Sequence, residues 1–146
     1  MKNFKLNEKD ILSNQDWTFP TTTYYGPGRF NEIGKFCEEF DIKNPLIVTD
    51  SGSKDLPFIK KLIALLSKNS IKSDLFYNIS PNPRDDEISK GCDQFKNGSH
   101  DSIIAIGGGS AMDGGKSICL TVNSETPLWD FEFEQPVPKI TKENAF

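Results

Sequence analysis

Hydrophobic and polar positions along the chain change period several times, and each change marks an element. Apolar residues recur at Phe30, Ile33, Phe36, Cys37 and Phe40 after the turn Gly26-Pro-Gly28, which is helical spacing. A short β-prone run, Thr22 to Gly26, precedes that turn. The compact apolar run Pro45 to Asp50, closed by the polar cluster Asp50 to Asp55, predicts a buried parallel strand. Leu56 to Lys68 places Phe58, Ile59, Leu62, Ile63, Leu65 and Leu66 opposite its lysines, an amphipathic helix, and a second strand is predicted over Ser73 to Ile79. Ser80-Pro-Asn-Pro83 ends that strand, because two prolines remove backbone donors and fix the chain. Arg84 to Lys96 supplies the next helix, with Ile88, Cys92 and Phe95 on one stripe. Asp101 to Ile106 then gives a third buried strand, and Ser110 to Leu120 a helix after the turn Gly107-Gly-Gly109.

Strands alternating with helices of this length make βαβ units, so the fold class is α/β: a Rossmann-like parallel sheet flanked by helices. Residues 1–20 read as an amino-terminal extension and 21–146 as the α/β domain. From Thr126 the pattern loses its period among prolines and aromatics, an ordered excursion or connector. The last residues look like the middle of something, which makes truncation an expectation.

Composition narrows the chemistry. A formal net charge of −4 gives no basic field, so nucleic acid is not expected as a partner, and a bound phosphate must be held by local geometry. Three unevenly spaced cysteines without a C-x-x-C pair read as reduced thiols, and a single histidine, His100, in the loop before a strand, cannot build a multi-histidine metal site. No apolar run has the length of a signal peptide or a membrane span; a cytoplasmic protein without a membrane partner is expected.

The segment Ile103 to Lys116 carries most of the functional information. Strand, three glycines, serine and helix follow one another, an arrangement in which the backbone admits a close ligand and the helix start offers unpaired N–H groups to a diphosphate. Ser110 and Asp113 also have capping-box spacing, which offers the serine to the helix instead. Two common nucleotide motifs fail here. A P-loop would need glycine where Ser110 stands, and the G-x-G-x-x-G fingerprint would need it at Met112.

Gly107-Gly-Gly-Ser-Ala-Met-Asp113-x-x-Lys116, preceded by Asp101-x-Ile-Ile-Ala-Ile, resembles the hallmark of the iron-containing alcohol dehydrogenases. Tyr25-Gly-Pro-Gly28, Leu46-Ile-Val-Thr-Asp50 and Pro81-Asn-Pro83 fall in the order expected of that family, and the resemblance covers about residues 20 to 130. Gly114-Gly115 departs from it, the family more often having Thr-Ala, and is expected to loosen the first helical turn.

The resemblance implies an amino-terminal dinucleotide-binding domain and a carboxy-terminal all-helical domain holding Fe(2+) or another divalent metal, with the metal ligands, an aspartate and three histidines, absent from this chain. It also implies NAD as cofactor, a small alcohol or aldehyde as substrate, and a homo-oligomer at full length. Gly107, Gly108, Gly109 and Ser110 are assigned to the pyrophosphate and Asp50 to the adenosine ribose, where it favours NAD over NADP. Asn82 is assigned to the nicotinamide side and Asp113 to the nicotinamide ribose, with Lys116 pairing with it or facing solvent. Hydride transfer between NAD(H) and an alcohol or aldehyde is the implied reaction, and the 146-residue chain alone is expected to be inactive. Alternatives remain open: a sister branch of the glycerol dehydrogenase, maleylacetate reductase or dehydroquinate synthase type, or, in another class, a non-catalytic nucleotide-binding module or gene remnant.

Overall fold

The computed structural model describes residues 21–131. The proposed amino-terminal extension, residues 1–20, and the tail beyond 131 lie outside them. A 3-10 turn over Arg29–Glu32 runs into α1 (Ile33–Glu39); then follow β1 (Pro45–Asp50), α2 (Pro57–Lys68), β2 (Asp74–Ile79), α3 (Asp85–Asn97), β3 (Ser102–Ala105), α4 (Gly109–Thr121) and a closing 3-10 turn, Leu128–Phe131. From β1 to α4 each predicted element lies within one residue of its expected bounds, whereas the first predicted helix opens as the 3-10 turn before α1. The β-prone run at Thr22 forms no strand: Tyr24 stacks on Phe36 of α1, 4.4 Å between ring centroids, and Tyr25 projects almost fully into solvent. A strand needs a neighbour to satisfy its backbone, and this segment pairs with no described strand.

The sheet is wholly parallel, in the order β2-β1-β3. β1 is central and buried on both faces, which explains its unbroken apolar run. Ile47 joins Cys37, Leu62 and Leu66 under α1 and α2, while Leu46 and Val48 join Ile88, Phe95 and Ile118 under α3 and α4. Helices therefore cover both faces of the sheet. Each fully buried leucine or isoleucine contributes about 1.5–3 kcal/mol relative to exposure.

β2 departs from two-residue alternation. Its register with β1 shifts between Val48 and Asp50, so Phe76 and Ile79 lie on the same buried face although three residues apart. The irregularity sends Ile79 beneath α4. At the opposite edge of the sheet, the Asp101 carboxylate accepts from the Lys43 and Asn44 N–H groups, 2.7 and 2.9 Å, tying the approaches to β1 and β3 together. His100 lies in the loop before β3, as expected, and is buried there. Its ring stands with Nδ1 2.9 Å from the Asn44 carbonyl and Nε2 3.4 Å from an Asp74 carboxylate oxygen but off the hydrogen-bonding direction.

Gly114 and Gly115 do not loosen the first turn of α4. Both are buried one turn further in, where a Cβ on Gly114 would lie 2.7 Å from Ile79 Cδ1 and one on Gly115 2.5 Å from Ala105 Cβ. They let the helix lie directly on β2 and β3. Gly115→Ala is accordingly expected to lower stability by about 1–3 kcal/mol through overpacking, despite a helix-propensity gain of about 1 kcal/mol. Urea unfolding checks this, and equal stability of the two proteins would refute the close-packing account.

Candidate functional site

The order β2-β1-β3 sends the chain to opposite sides of β1, so the connections leaving β1 and β3 diverge at the carboxyl edge of the sheet. Such a divergence opens a crevice in doubly wound folds. Here an open cleft of about 410 Å³ is lined by Phe30, Ser53, Phe58, Ile106, Gly107 and Gly108. Its walls are mainly apolar, with the glycine turn on one side and the turn after β1 on the other.

Two hydrogen bonds fix the glycine turn to the central strand. The buried Thr49 hydroxyl donates to the Ile106 carbonyl at 2.7 Å, and the Ile106 N–H donates to the Val48 carbonyl at 2.9 Å. Gly107 then takes φ 143°, a conformation other residues rarely adopt, and a Cβ there would stand 2.8 Å from Ala111 and 3.1 Å from Asp50 Oδ2. Gly107 is thus required by the chain itself. Gly108 has an ordinary φ of −77°, and a Cβ on Gly108 or Gly109 would meet nothing within 4 Å. Nothing in the described structure demands glycine at those two positions. They form an open backbone surface at the start of α4.

Gly108 is the N-cap of α4, and no side chain caps the helix. The capping-box reading of Ser110 and Asp113 is therefore overturned: the helix begins at Gly109, two residues earlier than that motif requires, and Ser110 already lies inside its first turn. The unfilled cap leaves the positive end of the helix dipole facing outward beside the turn. Asp113 and Lys116 sit further along α4, both largely exposed, with Nζ 3.6 Å from Oδ1 in a solvent-screened pair.

Asp50 ends β1 beside Gly107. Its Oδ1 accepts from the N–H groups of Gly52 and Ser53, 3.0 and 2.9 Å, and its Oδ2 from the Ser53 hydroxyl at 2.8 Å. The carboxylate thus holds its own turn while standing at the edge of the cleft. Asn82 is exposed in the loop after β2, at the same edge of the sheet, with φ 59°. Asparagine is among the few residues that tolerate this left-handed geometry. Of the residues predicted for the site, the structure places Gly107 and Gly108 in the lining of this cleft, with Asp50 behind it, beside Gly107 and bonded to the lining Ser53; Asp50, Asn82, Gly109, Ser110, Asp113 and Lys116 do not line it.

Sequence reasoning missed Phe30, Ser53, Phe58 and Ile106 as cleft residues. Ser53 had a readable signal, its spacing three residues after Asp50 in a polar turn, whereas the phenylalanines carried only the signature of core-facing helix positions. It also missed Glu87, which is 6% exposed in the first turn of α3. Burial pushes the Glu87 carboxyl up, but hydrogen bonds from Ser80 and Arg84 outweigh it and hold the group below the ordinary glutamate value. The thiols of Cys37, Cys92 and Cys119 are pushed up by burial and form no disulfide, which leaves them poor nucleophiles. Among the described residues no three His, Cys, Asp or Glu side chains converge as a metal site, and no helix is long and apolar enough to cross a membrane.

Parallel strands, helices on both faces and a glycine turn at the switch point define an open α/β sheet of the Rossmann-like class. Residues 20–145 match the family described as iron-containing alcohol dehydrogenase, and the chain belongs to that family. It is 32% identical over 128 residues to NADH-dependent butanol dehydrogenase A of Clostridium acetobutylicum, covering 87% of this chain and 32% of that one. The crystal structure of a 1,3-propanediol oxidoreductase superposes with a TM-score of 0.74 at 29% identity, covering 80% of this chain and 30% of that one. A sulfoacetaldehyde reductase of Bifidobacterium kashiwanohense, solved in complex with NAD+, gives 0.71 at 26% identity, covering 84% and 32%. The chain spans about a third of the length of the curated relatives it matches.

The lowered Glu87 value has a measurable consequence. A carboxyl depressed in the folded state stabilises the protein above its unfolded pKa, and that contribution disappears as pH falls through the folded value. The stability difference between wild type and Glu87→Gln should therefore be largest near neutral pH and shrink as the solution is acidified below pH ~4. Urea unfolding across that range checks it, and a pH-independent difference would count against an ionised, clasped Glu87.

Proposed function

We propose that this chain is the cofactor-binding part of an NAD-dependent, metal-dependent alcohol dehydrogenase or aldehyde reductase. The observation that carries the reading is the contrast within the glycine turn. Gly107 is glycine because its own chain requires it, whereas Gly108 and Gly109 face open space with nothing of the chain to avoid. Glycine at such positions is explained by a group from outside that must come within contact distance of the backbone. The uncapped start of α4 beside them offers N–H groups and a positive dipole end, so that group is an anion, and a dinucleotide pyrophosphate suits both features.

In this reading Gly107, Gly108, Gly109 and Ser110 cradle the pyrophosphate. The apolar cleft between Phe30 and Phe58 takes the adenosine end, with Asp50 at its rim receiving a ribose hydroxyl. A carboxylate there repels a 2′-phosphate, so NAD is preferred to NADP. Asn82 and Asp113 stand toward the nicotinamide end, with Lys116 balancing the charge of Asp113. The reaction is hydride transfer between NAD(H) and a small alcohol or aldehyde, in which a divalent metal polarises the substrate oxygen. The described residues do not fit that metal, and this chain's share is binding and orienting the dinucleotide. A cytoplasmic setting agrees with three cysteines that form no disulfide.

Gly108→Val tests the central point, because a Cβ there meets nothing within 4 Å and its φ of −77° is open to any residue, so folding should remain intact. Fluorescence titration of the 146-residue chain is expected to show NADH bound in preference to NADPH, and binding about ten- to a hundredfold weaker in the variant, the loss of one or two charge-assisted hydrogen bonds. Equal NADH affinity in wild type and a well-folded variant would sink the assignment.

A further inference from the structure

The Ser80–Arg84 loop carries Asn82 and is built so that little of its own chemistry holds it in shape. Pro81 and Pro83 contribute no N–H, which leaves Ser80, Asn82 and Arg84 as its only backbone donors. Asn82 takes a left-handed φ of 59° directly before a proline, and its exposed side chain has no hydrogen-bond partner among the described residues. Local preference does not account for that conformation, since the residue before a proline is ordinarily extended.

One side chain spans the loop. Glu87 Oε2 accepts from the Ser80 N–H at 3.2 Å, from the Ser80 hydroxyl at 3.1 Å and from the Arg84 N–H at 3.2 Å, while Oε1 faces Arg84 Nη2 at 3.5 Å. Both ends of the loop, and two of its three backbone donors, converge on one buried carboxylate. A buried carboxylate is tolerated only when its lone pairs are filled, so carboxylate and loop hold each other in a single arrangement. The first turn of α3, packed on the core through Ile88, anchors the clasp.

We propose that Glu87 is a positioning residue of the dinucleotide site, clasping both ends of the Ser80–Arg84 loop and thereby presenting Asn82 to the nicotinamide end of the cofactor. The inference rests on the dinucleotide reading given above. Glu87 touches no ligand; it acts through the loop, and its effect is confined to the half of the cofactor that Asn82 faces.

The test uses the 146-residue chain as wild type, Glu87→Gln, Asn82→Ala and the double variant. NADH is titrated beside ADP-ribose, which keeps the pyrophosphate and both riboses but lacks the nicotinamide. Glu87→Gln and Asn82→Ala are each expected to weaken NADH about three- to tenfold, the worth of roughly one hydrogen bond, with ADP-ribose unchanged within about twofold. The double variant should bind no worse than the weaker single variant, because both changes remove the same contact. NMR supplies a ligand-free readout: in Glu87→Gln the Ser80 and Arg84 amides should exchange faster and the Asn82 coupling constant should leave its left-handed value. Should Glu87→Gln fail to fold, Ser80→Ala, which removes one of the three donors, carries the same pattern at smaller amplitude. Equal weakening of NADH and ADP-ribose would mean a merely structural glutamate and overturn the proposal, as would additive losses or an unchanged Asn82 coupling. If wild type binds neither ligand, the dinucleotide reading itself falls and takes the ligand half of the proposal with it, while the coupling constant still decides the clasp.

Discussion

Everything at the carboxyl edge of this sheet depends on how closely α4 approaches it. Ordinary side chains hold a helix away from the sheet it covers; here Gly114 and Gly115 remove the side chains that would set that distance, and the helix rests on Ile79 and Ala105. Gly107 makes the same demand at the helix start, where its φ of 143° turns the chain within contact of Ala111 and Asp50. These contacts fix the start of α4 over the ends of β1 and β3. With Thr49 bonded to Ile106, the turn is held from the strand side as well. The cleft is a consequence of that fixed geometry, and so is the orientation of the uncapped helix end.

Electrostatics argues in the same direction. A chain of net charge −4 does not attract a diphosphate by its overall field, and among the described residues no lysine or arginine lines the cleft. Backbone N–H groups and the helix dipole are what remain, and they act only at short range. In the proposed reading close approach is therefore a requirement for binding as much as for packing, and the glycines would serve both. In the proposed reading Asp50 would add selectivity, because among the described residues no cation lines the cleft to offset a second negative group beside it.

Much of this was legible in the sequence, and the parts that were not share a cause. Periodicity located every helix and strand that packs on the central sheet, since burial of one face writes itself into spacing. The glycine turn was readable because glycines, serine and a helix start form a local signal. Glu87 was invisible because its importance lies in three donors that approach it from Ser80 and Arg84, and an acid in a first helical turn has the same appearance whether or not anything bonds to it. Phe30 and Phe58 were read as core because the cleft borders the core, and spacing does not distinguish the two. The β-prone run at Thr22 failed for the opposite reason: propensity proposes a strand, but only a pairing neighbour makes one, and Tyr24 found Phe36 instead.

The family resemblance and the geometry bear on different questions, and the glycines show where they divide. By sequence Gly107, Gly108 and Gly109 form one motif with one role. By geometry they separate: the first is fixed by backbone conformation and contact, the other two by nothing in the described chain. A purely structural turn would explain only Gly107, and a purely ligand-driven motif would leave its φ unexplained. Asp50 divides in the same manner, since three hydrogen bonds within its own turn already explain an aspartate there. Oδ2, held by the Ser53 hydroxyl, also stands within contact distance of Gly107, so the same carboxylate that closes the turn adjoins the bare backbone of the glycine turn. The ligand reading therefore rests most firmly on the residues for which the folded chain offers no reason of its own, and Gly108 is the clearest of them.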